Sequence, residues 1–151
     1  MSVLIPKAMI SMIVMSKCLA GFNCKYSGGN NCVPTLKKLY EEGKAVLVCP
    51  EQLGGLSTPR PASEIQKEKV INIEGTDVTR QYKEGSEKAL AIAKKNGCTK
   101  AILKANSPAC GVGHIYDGTF THTLTKGNGT FAALLIRNNI SCMTEKEWKE
   151  E

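Results

Sequence analysis

Short apolar runs alternate along the chain with longer stretches of mixed polarity. Met9–Ser16 (MISMIVMS), Ala45–Val48 (AVLV), Lys100–Lys104 (KAILK) and Ile140–Met143 (ISCM) read as strands, with a shorter one around Val70–Ile73. Between them, apolar residues recur at helical spacing. Val33, Leu36, Leu39 and Tyr40 form one stripe, predicting a helix over Pro34–Glu42 that Pro34 opens and Gly43 stops. Val78, Tyr82, Gly85, Ala89, Ile92 and Ala93 form another, predicting a helix over Val78–Lys95 with Asp77 or Thr79 as cap and Gly97 as terminator. A third helix is predicted over Gly129–Asn138, capped by Asn128, with Phe131, Leu134 and Leu135 facing inward. Thr144 and Glu147 have the spacing of a capping box for a C-terminal helical turn. Alternation of this kind predicts an α/β chain, a single-domain, three-layer, Rossmann-like fold with a mainly parallel sheet.

The connections differ in character. Gly21–Asn31 is rich in glycine and asparagine. Cys49–Ser63 holds three prolines and two glycines, which predicts no regular structure there. Ala105–Gly127 reads as one long loop, a length that in a compact domain marks a functional or mobile segment.

At 151 residues, 42% hydrophobic and 23% charged, the chain can bury one core and falls outside the disordered and membrane classes of composition. The apolar start is interrupted by Pro6, Lys7 and Lys17 and is too short to span a bilayer. It has neither a basic opening nor a small-residue cleavage site, so residues 1–8 are read as a leader, residues 1–151 as one domain and the setting as cytoplasmic. The net charge of +6 favours anionic partners, although the pairs Lys37–Lys38 and Lys94–Lys95 lie on predicted helices and read as solvated faces.

Seven cysteines, an odd number without even spacing, do not describe a disulfide framework. In a reducing compartment thiols bind metal, react or fill the core. Cys18, Cys49 and Cys110 each stand just beyond a predicted strand. The carboxyl ends of parallel strands share one edge, where ligands bind, so three thiols distant in sequence are expected to meet there. Cys98 and Cys142 adjoin or lie within strands and are assigned to the core. Cys24 and Cys32 flank the first loop, either as spectators or as a further ligand. The chain has no P-loop, dinucleotide-type glycine motif, C-x-x-C pair, H-E-x-x-H helix or serine-hydrolase elbow. His114 and His122 with Cys110 make an alternative zinc set for a hydrolase, and a non-catalytic iron–sulfur or RNA-binding module is a further alternative.

Five ordered blocks carry more information: S-x-C-L-x-G at Ser16–Gly21, Y-x-G-G-N-N at Tyr26–Asn31, C-P-E-x-x-G-G-L-x-x-P-R-P at Cys49–Pro61, K-x-x-S-P-x-C-G at Lys104–Gly111 and I-Y-D-G-T-F at Ile115–Phe120. Together they resemble the thiouracil desulfidase family over Met12–Met143. The resemblance implies a [4Fe–4S] cluster held by Cys18, Cys49 and Cys110, with one iron left for the sulfur of a small thiolated pyrimidine. It also implies hydrolytic desulfuration of thiouracil to uracil without net redox change. A small substrate is expected over tRNA because no RNA-binding domain is appended.

Thiolates are the ordinary ligands of iron–sulfur clusters, and soft iron suits a soft sulfur ligand. Glu51, two residues past Cys49, is a candidate general acid/base, and Ser107, three before Cys110, a candidate for orienting substrate. The resemblance places both on functional positions of the family. Lys104 is a candidate for stabilising negative charge on the ring or on Glu51. Arg60 reads either as a grip on an anionic substrate group or as a surface partner of a carboxylate. Asp117 reads as a turn residue bonding its own backbone. Three positions depart from the family pattern: Lys17 where a small residue is common, Ser27 for an aspartate and Ala109 for a serine.

Overall fold

In the computed structural model, which describes residues 12–149, the elements run β1 (Ile13–Ser16), a 3-10 turn (Lys17–Ala20), α1 (Pro34–Glu41), β2 (Ala45–Val48), α2 (Pro50–Leu53), β3 (Ser63–Gln66), β4 (Lys69–Asn72), α3 (Thr79–Lys95), β5 (Lys100–Leu103), β6 (His114–Tyr116), β7 (Leu124–Lys126), α4 (Thr130–Arg137) and β8 (Ser141–Thr144). The predicted leader and the beginning of the predicted first strand, residues 9–11, lie outside the described residues.

The central sheet has the order β2-β1-β5-β8, and every neighbouring pair is parallel. Its strands are covered on both faces, which is why they read as unbroken apolar runs instead of alternating ones. Val14, Val48, Ala101 and Leu103 turn to one side and pack with Tyr82 and Ala89 of α3 and Phe131 and Leu135 of α4. Met15, Ala45 and Ile102 turn to the other and pack with Leu19 of the 3-10 turn and Leu36 of α1. From β1 the chain moves outward to β2 and later crosses to β5 on the opposite side. The strand order therefore reverses at β1, and the crevice of such a sheet opens beyond the carboxyl ends of the strands at that point.

The structure corrects several sequence expectations. Cys49–Ser63 is not wholly irregular, because Pro50 occupies the first position of α2, where its missing N–H leaves no bond unmade. The predicted loop Ala105–Gly127 contains the antiparallel hairpin β6–β7, whose second strand is exposed throughout and so has no apolar alternation to announce it. Asn128 does not cap α4: its side-chain oxygen accepts from Gly113 N at 2.8 Å, and Gly129 stands at the cap. Neither Asp77 nor Thr79 caps α3: Val78 stands at the cap without a side-chain bond, and Asp77 Oδ1, one residue further out, accepts from Thr79 N at 2.9 Å. Glu147 reaches back to Thr144 N at 3.1 Å, half of the expected box, over a turn instead of a helix. Among the described residues no helix is long and apolar enough to cross a membrane.

The close seating of α2 on α3 positions the site. A Cβ on Gly85 would lie 1.8 Å from Pro50 O, and one on Gly54 would lie 1.9 Å from Gln81 O. Backbone meets backbone at both points, so neither neighbour can yield as a flexible side chain would. Gly85→Ala is expected to destabilise the fold by about 1–3 kcal/mol, the usual cost of overpacking, as read by denaturant unfolding. An unchanged midpoint would contradict this packing.

Candidate functional site

Beyond the carboxyl ends of β1, β2 and β5 lies a cavity of about 270 Å³, at the small end of ligand pockets and lined by residues from all three following segments. Cys18, Cys49 and Cys110 border it as expected, and Cys24 joins them. Cys18 enters from the 3-10 turn after β1, Cys49 stands at the cap of α2 directly after β2, and Cys110 follows β5 by way of the turn Ser107–Cys110. Cys98 is buried in the core and Cys142 packs half-buried against it. Cys32 is exposed.

The thiols around the cavity are not electrostatically alike. Cys18 is held below its ordinary pKa, first by the Cys24 thiol, then by Asn31, whose Nδ2 donates to its Sγ at 3.4 Å, and by the charge of Lys104. Cys49 is lowered to about 7 by the Cys24 thiol, a backbone N–H at Gln52 and the Arg60 guanidinium, against the opposing effect of burial. Cys24 is pushed upward by the neighbouring Cys18 and Cys49 thiols and by burial, and its carbonyl lies 3.7 Å from Cys49 Sγ. Burial raises Cys110 well above the usual range, although the Ser16 hydroxyl beside it works in the other direction. Burial alone pushes Cys98 and Cys142 up to about 11.

The polar residues expected at the site are present with defined partners. Ser107 Oγ accepts from Ala109 N at 3.1 Å and Cys110 N at 2.9 Å, so its own O–H remains available to donate. Lys104 borders the cavity, but its Nζ pairs with Glu145 Oε2 at 3.1 Å and not with Glu51. Glu51 Oε1 accepts from Arg60 Nε at 3.0 Å and from the Tyr82 hydroxyl at 2.8 Å. The Arg60 and Glu51 side chains are only 4% and 14% exposed. Arg60 is thus neither a surface partner nor a free anion grip. Three of its four remaining N–H groups donate to Cys24 O, Ser57 O and Thr58 Oγ1.

The far wall comes from the β6–β7 segment. Tyr116 and His122 border the cavity, their rings edge to face at 6.1 Å. The buried Glu64 of β3 fixes this segment by accepting from Gly118 N and Phe120 N. Asp117 behaves as the expected turn residue, taking Thr119 N at 3.0 Å.

Among the described residues no three His, Cys, Asp or Glu side chains converge closely enough to hold a single metal ion, so the zinc set Cys110, His114 and His122 is not assembled. The thiols instead stand around a shared space, and thiolate sulfur is the donor that iron–sulfur clusters take. The donor set fits such a group.

Sequence reasoning missed Tyr82, whose place in an apolar stripe concealed its role. A buried tyrosine needs a partner for its hydroxyl, and that requirement was the only available signal.

Comparison with known proteins agrees with this chemistry. The family model described as 2-thiouracil desulfurase matches residues 13–147. The chain is 42% identical over 146 residues to the uncharacterised protein YbbK of Bacillus subtilis (strain 168), covering 90% of this chain and 97% of that one. It also superposes on a solved structure of the [4Fe-4S]-dependent thiouracil desulfidase TudS with a TM-score of 0.86, at 40% identity, covering 91% and 92% of the two chains.

The unequal thiols give a direct check. In protein stripped of metal by a chelator, iodoacetamide near neutral pH is expected to alkylate Cys49 well ahead of Cys98 and Cys142, because, of these three, only Cys49 is substantially thiolate there. Peptide mapping by mass spectrometry reads the order, and equal rates at the three positions would contradict the electrostatics.

Proposed function

The chain belongs to the 2-thiouracil desulfurase family, and from that premise we propose that it is a [4Fe–4S]-dependent desulfidase that converts a thiolated pyrimidine and water to the oxo-pyrimidine and hydrogen sulfide. The supporting observation is the convergence of Cys18, Cys49 and Cys110 on one small cavity together with Glu51 and Ser107. These three cysteines would hold the cluster. When bound, it supplies a soft Lewis-acidic iron for the thiocarbonyl sulfur.

The protein's own residues account for positioning and proton movement. Glu51 has one carboxylate oxygen engaged by Arg60 and Tyr82 and offers the other, Oε2, to take a proton from the attacking water. The water oxygen forms the new bond to the ring carbon, and the carbon–sulfur bond breaks. Both protons of the water end on the departing sulfide, so no electron is gained or lost overall. The Ser107 O–H donates to the polar edge of the pyrimidine and fixes the ring against the thiol wall. Lys104, paired with Glu145, contributes positive potential toward Cys18 and not a bond to Glu51. The cavity of about 270 Å³ has to receive the cluster as well as the substrate, which leaves room for no more than a single ring. In keeping with the 2-thiouracil named for the family, a free base or a small derivative is the proposed substrate, ahead of tRNA.

Protein reconstituted anaerobically with iron and sulfide is expected to release sulfide from thiouracil. Cys18→Ala, Cys49→Ala and Cys110→Ala should each lose bound iron, whereas Cys98→Ala and Cys142→Ala should keep it. Glu51→Gln should keep iron and lose activity by about a hundredfold or more, the usual scale of general acid–base catalysis. Iron-loaded protein inactive on thiouracil and its nucleosides would overturn the assignment. Activity on thiolated tRNA alone would overturn the small-substrate reading.

A further inference from the structure

Two residues outside the catalytic set meet at a single atom. Arg60 Nε and the Tyr82 hydroxyl both donate to Glu51 Oε1, at 3.0 and 2.8 Å, from two separate later segments of the chain. Among the described residues no side chain or backbone group bonds Oε2. A carboxylate on a freely rotating side chain would present either oxygen in many directions. Here one oxygen is engaged by two donors, one of them charged, and charge-assisted bonds are the stronger kind.

The clamp is itself fixed. Arg60 cannot swing away without breaking bonds to Cys24 O at 2.8 Å, Ser57 O at 3.0 Å and Thr58 Oγ1 at 2.9 Å. Tyr82 sits on α3, is 1% exposed and belongs to the main core, so its ring has no room to turn. Burial, reinforced by the negative charge of Glu51, keeps the phenol protonated and therefore a donor. The backbone that carries Glu51 is α2, held against α3 by the glycine contacts at Gly54 and Gly85. Carboxylate, guanidinium and phenol thus come from α2, the following loop and α3, each independently anchored.

We propose that Arg60 and Tyr82 are positioning residues for the desulfuration reaction, holding Glu51 Oε1 so that Oε2 alone is the working oxygen. This rests on the acid/base role of Glu51 given above. Neither residue needs to touch the substrate, and their effect on the reaction passes through the orientation of one carboxylate.

The test is a double-mutant cycle on the iron-loaded enzyme, with iron and sulfide content and the dissociation constant for thiouracil measured beside kcat. Tyr82→Phe removes one donor while preserving the ring. It is expected to lower kcat about tenfold, the loss of one hydrogen bond to a charged group, with iron content unchanged and substrate affinity within about twofold. Arg60→Lys keeps the charge without the fork and should act in the same direction. In a Glu51→Gln background, Tyr82→Phe should cause no comparable further loss. Three results would overturn the inference: full activity in both variants, a loss in Tyr82→Phe that persists undiminished in the Glu51→Gln background, or a loss that follows missing iron. Full activity in Glu51→Gln itself would instead remove the acid/base reading on which the inference stands, and the two failures are separated by that one variant.

Discussion

Burial of the Glu51–Arg60 pair is the constraint on which the organisation of the site depends. Two charges withdrawn from water are tolerated only when nearly every polar atom around them finds a partner. Here that requirement draws in the carbonyl of Cys24 from the first loop, the Ser57–Thr58 turn from the second and the Tyr82 hydroxyl from α3. Satisfying the guanidinium therefore joins the segment that carries Cys18 and Cys24 to the segment that carries Cys49. Removing one member of such a buried pair typically costs about 3–5 kcal/mol, because the other charge is left unpaired. The geometry of the thiols and the orientation of the carboxylate are thus held by the same bonds.

Their neighbours account for the division among the cysteines. Cys18 and Cys49 are lowered first by the Cys24 thiol and only then by the charges of Lys104 and Arg60, whereas the core cysteines, which have burial and no such neighbours, are raised. Cys24 borders the cavity, and its carbonyl accepts from Arg60 Nη2 at 2.8 Å.

The sheet was legible because its strands are buried on both faces and leave apolar runs, as Ala45–Val48 shows without adjustment. The position of the three cysteines after β1, β2 and β5 was legible for the same reason, since strand ends in a parallel sheet share an edge. What escaped was tertiary. The β6–β7 hairpin has an exposed second strand, and α2 is a single turn beginning at a proline, so neither carries a periodic signal. Tyr82 is separated from Glu51 by 31 positions, and nothing local to either residue announces the bond between them. Lys104 shows the opposite error. Its place in the cavity was expected, but its partner, Glu145, lies past the end of β8, and only the parallel pairing of β5 with β8 brings them together.

A [4Fe–4S] cluster held only by the three strand-end thiols would keep one iron for the substrate. Mössbauer spectroscopy of anaerobically loaded protein, prepared with isotopically enriched iron, distinguishes that iron from the others. One iron site is expected to differ from the rest and alone to change when thiouracil is added. A spectrum with all iron sites equivalent, and unaltered by thiouracil under conditions where sulfide is released, would contradict it.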